Sequence, residues 1–292
     1  MAAADPRTRA LPGTLWQWGR NKVAFESGLP GSARKLLVLG GLTDGLLPCR
    51  YVPALSHAAA AHGWSTVQPI LSSSYAGYGT GMLSRDVEEL SALVEHMVAE
   101  RGCEEVAVVG HSTGCQIACS FAKSGTELAR ARLIALALQA PVSDQESGLL
   151  NEATALWVEH AKGLPEPSRT LMPIEAHYSP ITAERFLSLY DATDGAQPDD
   201  MFSSYLSDAQ LRAKLSMDGL PVLVAYSMVD EYVPKTVDKR ALVGRLVAAI
   251  GSGAVPLCIE GANHSLDAPA DGLAAEAFVR ATVELLGKAT RL

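Results

Sequence analysis

Gly110-His111-Ser112-Thr113-Gly114 follows the apolar run Val106-Ala107-Val108-Val109 and precedes Cys115-Gln116-Ile117-Ala118-Cys119-Ser120-Phe121-Ala122. The run has the length of a short buried strand, and the segment after the pentapeptide reads as a helix. Strand, G-x-S-x-G, helix is the context of a nucleophile elbow, a sharp turn that lifts a serine hydroxyl above the sheet edge. Glycine suits both flanks because a side chain there would meet neighbouring backbone. The turn also sets the hydroxyl over a helix N-terminus, where peptide dipoles favour developing negative charge. The pattern alone is weak in a chain with 25 Gly; the context gives it weight.

Working outward, apolar runs of strand length recur at Leu36–Leu39, Thr66–Leu71, Leu133–Leu138, Pro221–Tyr226 and Ala254–Ile259. Between them lie segments with helical spacing: Tyr51–His62, a helix capped by Ser84 and ended by Gly102, Lys239–Ile250 and Leu273–Leu286. Continuous apolar strands alternating with amphipathic helices imply a mainly parallel sheet covered on both faces. Leu15–Trp18 and Val23–Glu26 around Gly19-Arg20-Asn21-Lys22 predict an edge hairpin. Ser72–Gly81 reads as a flexible loop carrying Tyr75 and Tyr78. The alternation breaks once: residues 144–218 hold helix candidates (Leu149–Ala161, Thr182–Tyr190) and five prolines but no convincing strand. A structureless loop of that length is implausible, so the stretch predicts a helical cap over the strand ends. The expected organisation is a core of residues 14–143 and 219–290, a cap at 144–218 and a disordered start at 1–13.

A serine hydroxyl needs a base to take its proton and an acid to orient that base. Past the strand ending at Tyr226 comes Ser227-Met228-Val229-Asp230-Glu231, and past the last strand comes Gly261-Ala262-Asn263-His264. Residues just beyond the carboxyl ends of parallel strands share one rim with the elbow. The chain order Ser, acid, His is that of one hydrolase template. Ser112, Asp230 and His264 are therefore the candidate catalytic residues, with Glu231 as the rival acid and Asp267 as a third. The oxyanion of a tetrahedral intermediate needs two donors. The Thr113 N–H follows the nucleophile, and the Leu42 N–H lies in Gly40-Gly41-Leu42 after an early strand. His57, His62, His96, His160 and His177 read as solvated or packing residues, and His111 as packing beneath the site.

Composition limits the alternatives. The chain has 292 residues, 48% hydrophobic and 19% charged, enough for a sizeable core and too apolar for disorder. A net charge of -8 with no Lys/Arg cluster excludes a nucleic-acid or anionic-membrane surface. Five cysteines without a CxxC pair suit free thiols in a reducing compartment. No run is long enough to span a membrane. The cytoplasm is the default location, and the Ala-rich, Arg-containing start leaves an organellar transit segment open. No metal-ligand cluster and no H-E-x-x-H appears, so neither metal nor cofactor is expected.

The whole chain resembles the α/β-hydrolase superfamily. Gly110–Gln116, Gly40-Gly41-Leu42-Thr43-Asp44-Gly45, Tyr75-Ala76-Gly77-Tyr78-Gly79 and Asp230-Glu231-Tyr232-Val233-Pro234 resemble the branch that includes fungal siderophore esterases. The resemblance implies a serine esterase acting on ester bonds of hydroxamate siderophores such as fusarinines. Its partner would be a small-molecule ester, in a pocket drawing on Thr43, Asp44, Tyr75, Tyr78, His111 and the cap. The same three catalytic residues would serve an acyltransferase or peptidase. A ligand receptor on the same scaffold, turning over little, is the reading from a different class. The oligomeric state is not written in the sequence.

Overall fold

Residues 10–289 are described by a computed structural model, so the predicted disordered start lies mostly outside the described residues. The strands are β1 (Gly13–Gln17), β2 (Val23–Gly28), β3 (Arg34–Leu39), β4 (Ser65–Pro69), β5 (Glu105–His111), β6 (Leu133–Gln139), β7 (Val222–Ser227) and β8 (Ala254–Ile259). They form one eight-stranded sheet in the order β1-β2-β4-β3-β5-β6-β7-β8. β2 runs antiparallel to both β1 and β4, and β4 through β8 pair parallel. This is the α/β-hydrolase arrangement. The parallel strands all point one way, so their carboxyl ends form a single rim.

The helices are α1 (Val52–Ala61), α2 (Leu83–Arg101), α3 (Thr113–Ser124), α4 (Glu127–Arg132), α5 (Asp144–Gly148), α6 (Thr154–Lys162), α7 (Ala183–Tyr190), α8 (Asp208–Leu215), α9 (Lys239–Ile250) and α10 (Leu273–Ala289). Alternate strand residues go to opposite faces. Leu37, Val108, Leu136 and Val224 pack with α2, α3 and α9 on one face. Leu36, Val109, Ala137 and Ala225 pack with α1 and α10 on the other. A third apolar cluster joins Val158, Met172, Ile181, Phe186 and Leu189 to Tyr78. Met201, Phe202, Leu206, Leu211 and Leu215 pack instead into the first core. The stretch between β6 and β7 thus contributes to two cores.

Local expectations around α2 differ. α2 begins at Leu83, with Met82 at the N-cap and no side-chain cap, so Ser84 lies inside the first turn. The Ser72–Gly81 loop contains an ordered 3-10 helix over Tyr75–Thr80. In the stretch before β7, α8 opens on a full capping box between Ser207 and Gln210.

One buried ion pair ties the antiparallel edge to the sheet. Lys35 Nζ on β3 donates to Glu26 Oε1 on β2 at 2.6 Å, both side chains 1% exposed. Ser65 and Arg101 also donate to that carboxylate. Burial would raise the Glu26 pKa, but these donors and the Lys35 charge hold it below the usual value of 4.5. The associated stability is therefore present above that value and lost as pH falls through the lower folded one. Lys35→Met should destabilise the protein by about 3–5 kcal/mol in urea unfolding, because it leaves a buried carboxylate short of a partner. Adding Glu26→Leu should recover most of that loss.

Candidate active site

Ser112 sits at φ 52 and ψ -125, a left-handed conformation rare for a residue with a Cβ. Such strain concentrates at functional turns. Close approach explains the glycines around it. A Cβ on Gly110 would lie 2.4 Å from the Gly114 carbonyl oxygen, and one on Gly114 would lie 2.5 Å from that of Leu39. Ser112 is the N-cap of α3, but its side chain makes no cap hydrogen bond. Its hydroxyl is thereby left to the cavity that it lines.

The loops after β7 and β8 meet beside it. His264 Nδ1 pairs with Asp230 Oδ2 at 2.8 Å, and both residues are buried. Asp230 Oδ1 accepts from the Tyr232 N–H at 3.0 Å, which fixes the carboxylate plane. Glu231 does something different: its Oε2 accepts from the His264 backbone N–H at 2.9 Å. Asp267 accepts from Asn263 Nδ2 at 2.7 Å and closes its own loop. Of the three candidate acids, Asp230 is the one on the imidazole. With Nδ1–H donated to a carboxylate, Nε2 is the nitrogen able to accept a proton.

Gln139, at the end of β6, was not singled out in the sequence. It is fully buried. Its Nε2 donates to the His264 carbonyl at 2.9 Å, and its Oε1 accepts from His111 Nδ1 at 2.6 Å. The His111 ring lies 4.9 Å from that of His264. Burial, and secondarily His264, push the His111 pKa down to about 3. His111 therefore stays neutral and does not repel a protonated neighbour.

The loop after β3 comes close to the elbow. A Cβ on Gly41 would fall 2.8 Å from Ser112 Cβ, so only glycine fits there. Asp44 Oδ2 accepts from the Gly41 N–H at 2.8 Å and holds the loop in shape. The Leu42 N–H has no protein acceptor among the described residues. The Thr113 N–H is at the first position of α3, where an amide lacks an intrahelical partner. Two amides are thus uncommitted on the two segments that flank Ser112.

Leu42, Thr43, Asp44, His111, Ser112 and His264 line one cavity of about 430 Å³. That is an ordinary volume for a small-molecule site. Tyr75 and Tyr78, expected in the pocket, do not line it. The 3-10 helix turns Tyr78 inward, 2% exposed, where its hydroxyl meets His177 Nδ1 at 3.4 Å. Tyr75 packs over Gly45 and its hydroxyl accepts from the Leu46 N–H. The aromatic wall comes from Tyr178, Tyr190 and Tyr232 instead, with Val142, Asp144 and Ser147 from the chain after β6. Only Tyr232 had a sequence clue, its place beside the acid. Among the described residues no group of three or more His, Cys, Asp or Glu could hold a metal ion, and no helix is long and apolar enough to cross a membrane.

Comparison with known proteins places this geometry in context. A family described as "Protein of unknown function (DUF1749)" matches residues 5–286. Esterase AN6793 of Emericella nidulans is 28% identical, over 91% of this chain and 89% of that protein. Fusarinine C esterase sidJ of Aspergillus fumigatus is 30% identical, over 80% of this chain and 82% of that protein. The solved structure of siderophore hydrolase EstB from Aspergillus fumigatus superposes with a TM-score of 0.80 at 26% identity, covering 98% of this chain and all of that one.

Proposed function

We propose, from the premise that the chain belongs to the DUF1749 family of proteins of unknown function, that it is a serine carboxylesterase working through an acyl-enzyme. One observation carries the mechanism: Asp230 holds His264 by Nδ1 while His264 and the strained Ser112 face the same cavity. His264 Nε2 takes the Ser112 proton as Oγ adds to the ester carbonyl. The carbonyl oxygen gains negative charge, and the N–H groups of Leu42 and Thr113 receive it. Collapse of the tetrahedral intermediate breaks the carbonyl–alkoxy bond, and His264 returns the proton to the departing alcohol. Water then repeats the sequence on the acyl-enzyme, His264 again acting first as base and then as acid. Asp230 keeps the imidazole in the working tautomer and stabilises it while charged.

The named relatives support an ester hydrolase, and two of them support a finer reading in which the ester belongs to a siderophore. The cavity volume and a neighbouring hollow of about 510 Å³, sharing Ser147, Tyr178 and Tyr190 with it, fit a substrate larger than a short acyl ester. The chain between β6 and β7 acts as the cap that shapes this space. Among the described residues the protein's cysteines form no disulfide, which fits a reducing compartment such as the cytoplasm. Turnover of an ester panel, from short p-nitrophenyl esters to a fusarinine-type trihydroxamate ester, tests both levels. The expected result is hydrolysis across the panel with higher kcat/KM for the siderophore ester. Hydrolysis of short esters alone would overturn the siderophore reading, and no hydrolysis at all would overturn the esterase.

A further inference from the structure

The catalytic cavity is lined by both acidic and aromatic side chains. Among the described residues its wall carries two carboxylates, Asp44 and Asp144, and no Lys or Arg. Asp44 is committed to the Gly41 amide. Asp144, the first residue of α5, is not committed in that way. Its Oδ2 accepts one neutral hydrogen bond, from Gln116 Nε2 at 3.1 Å. The guanidinium that influences it, Arg185, is already paired with Asp199 at 2.8 Å in a fully buried bridge. Burial, with Asp199 adding repulsion, pushes the Asp144 carboxyl up to about 7, although Arg185 and His264 act in the opposite direction. A half-buried carboxylate with no cation of its own gains from one placed beside it. Tyr178, Tyr190 and Tyr232 line the same cavity. A carboxylate together with aromatic rings is the chemistry that recognises an ammonium group.

Building on the esterase reading, we infer that Asp144 and the phenol rings around it hold an ammonium group carried by the substrate. The site then selects amine-bearing esters over neutral esters of the same shape. The inverse chemistry is disfavoured, because an anionic substrate would enter a cavity with no basic side chain beyond its histidines. Asp144 acts on specificity and not on the reacting atoms, so its effect belongs in discrimination between substrates.

Charge-only substrate pairs test this. p-Nitrophenyl ε-aminocaproate and p-nitrophenyl heptanoate differ by an ammonium against a methyl group on the acyl side. Aminopentyl acetate and hexyl acetate differ likewise on the alcohol side. In wild type, kcat/KM should favour the ammonium member of at least one pair by about tenfold or more, the scale of a charged hydrogen bond. In Asp144→Asn that ratio should collapse towards one, whatever happens to the absolute rates. Equal kcat/KM within both pairs in wild type overturns the inference without any variant. So does a preference that survives in Asp144→Asn. Calorimetric binding of the same pairs to Ser112→Ala reads the preference without turnover. Preferential binding there with no wild-type hydrolysis would sink the esterase reading alone, and hydrolysis of both members at equal efficiency would sink the ammonium site alone.

Discussion

Ser112→Ala is expected to lower kcat for ester hydrolysis by on the order of 10^4 to 10^6-fold, the range seen when a triad nucleophile is removed. At the upper end this corresponds to about 8 kcal/mol of lost transition-state stabilisation. KM should change little, since the hydroxyl contributes mainly when the carbonyl carbon becomes tetrahedral. Alanine retains a Cβ, so the strain at φ 52 persists and the folded state should be neither gained nor lost by more than about 1 kcal/mol. Ser112→Gly separates the two effects. It should be as inactive as the alanine variant yet more stable by about 1 kcal/mol, because glycine adopts positive φ without a Cβ clash. Steady-state kinetics and thermal unfolding of the pair read both numbers. Activity within about tenfold of wild type in either variant would contradict the assignment, on the same scale of effects.

The second large effect concerns the acid. Asp230→Asn is expected to lower kcat by on the order of 10^4-fold. An amide in place of the carboxylate can donate to Nδ1, which drives the imidazole to the tautomer with its proton on Nε2. That tautomer cannot accept from Ser112. Glu231→Gln should cost less than about tenfold, since the glutamine carbonyl can still accept from the His264 N–H, as Oε2 does at 2.9 Å. A buried and an exposed carboxylate, adjacent in sequence, thus differ by about three orders of magnitude in their expected effect on kcat. Equal losses in the two variants would mean that both support the His264 loop and neither orients the ring.

The strands and the candidate triad were legible for the same physical reason. A parallel sheet buried on both faces must be written as continuous apolar runs, and it sends every carboxyl end to one rim. Ser112, Asp230 and His264 each stand just past such a run, so chain position carried spatial information. Glycine at 110 and 114 was legible as close backbone approach, which the clashes of a hypothetical Cβ explain; the need for glycine at 41 shows only once the loop after β3 meets Ser112.

The stretch between β6 and β7 was less legible because its residues meet by loop path and not by period. Asp144 lies past β6 on a five-residue helix too short to show a pattern. Tyr178 follows a non-repetitive segment. Tyr75 and Tyr78 looked like pocket aromatics because they sit in a glycine-rich stretch. The 3-10 helix there buries one against His177 and lays the other over Gly45. Gln139 ends an apolar strand and carried no motif, yet it bridges His111 to the His264 loop. That bridge could be read only once β5, β6 and the last loop were set side by side.

The identity of the nucleophile is most directly read by labelling with a fluorophosphonate and mapping the adduct by peptide mass spectrometry. A single stoichiometric adduct on Ser112, lost in Ser112→Ala and strongly slowed in Asp230→Asn, is expected. An unlabelled wild type, or an adduct carried equally by Ser112→Ala, would contradict it.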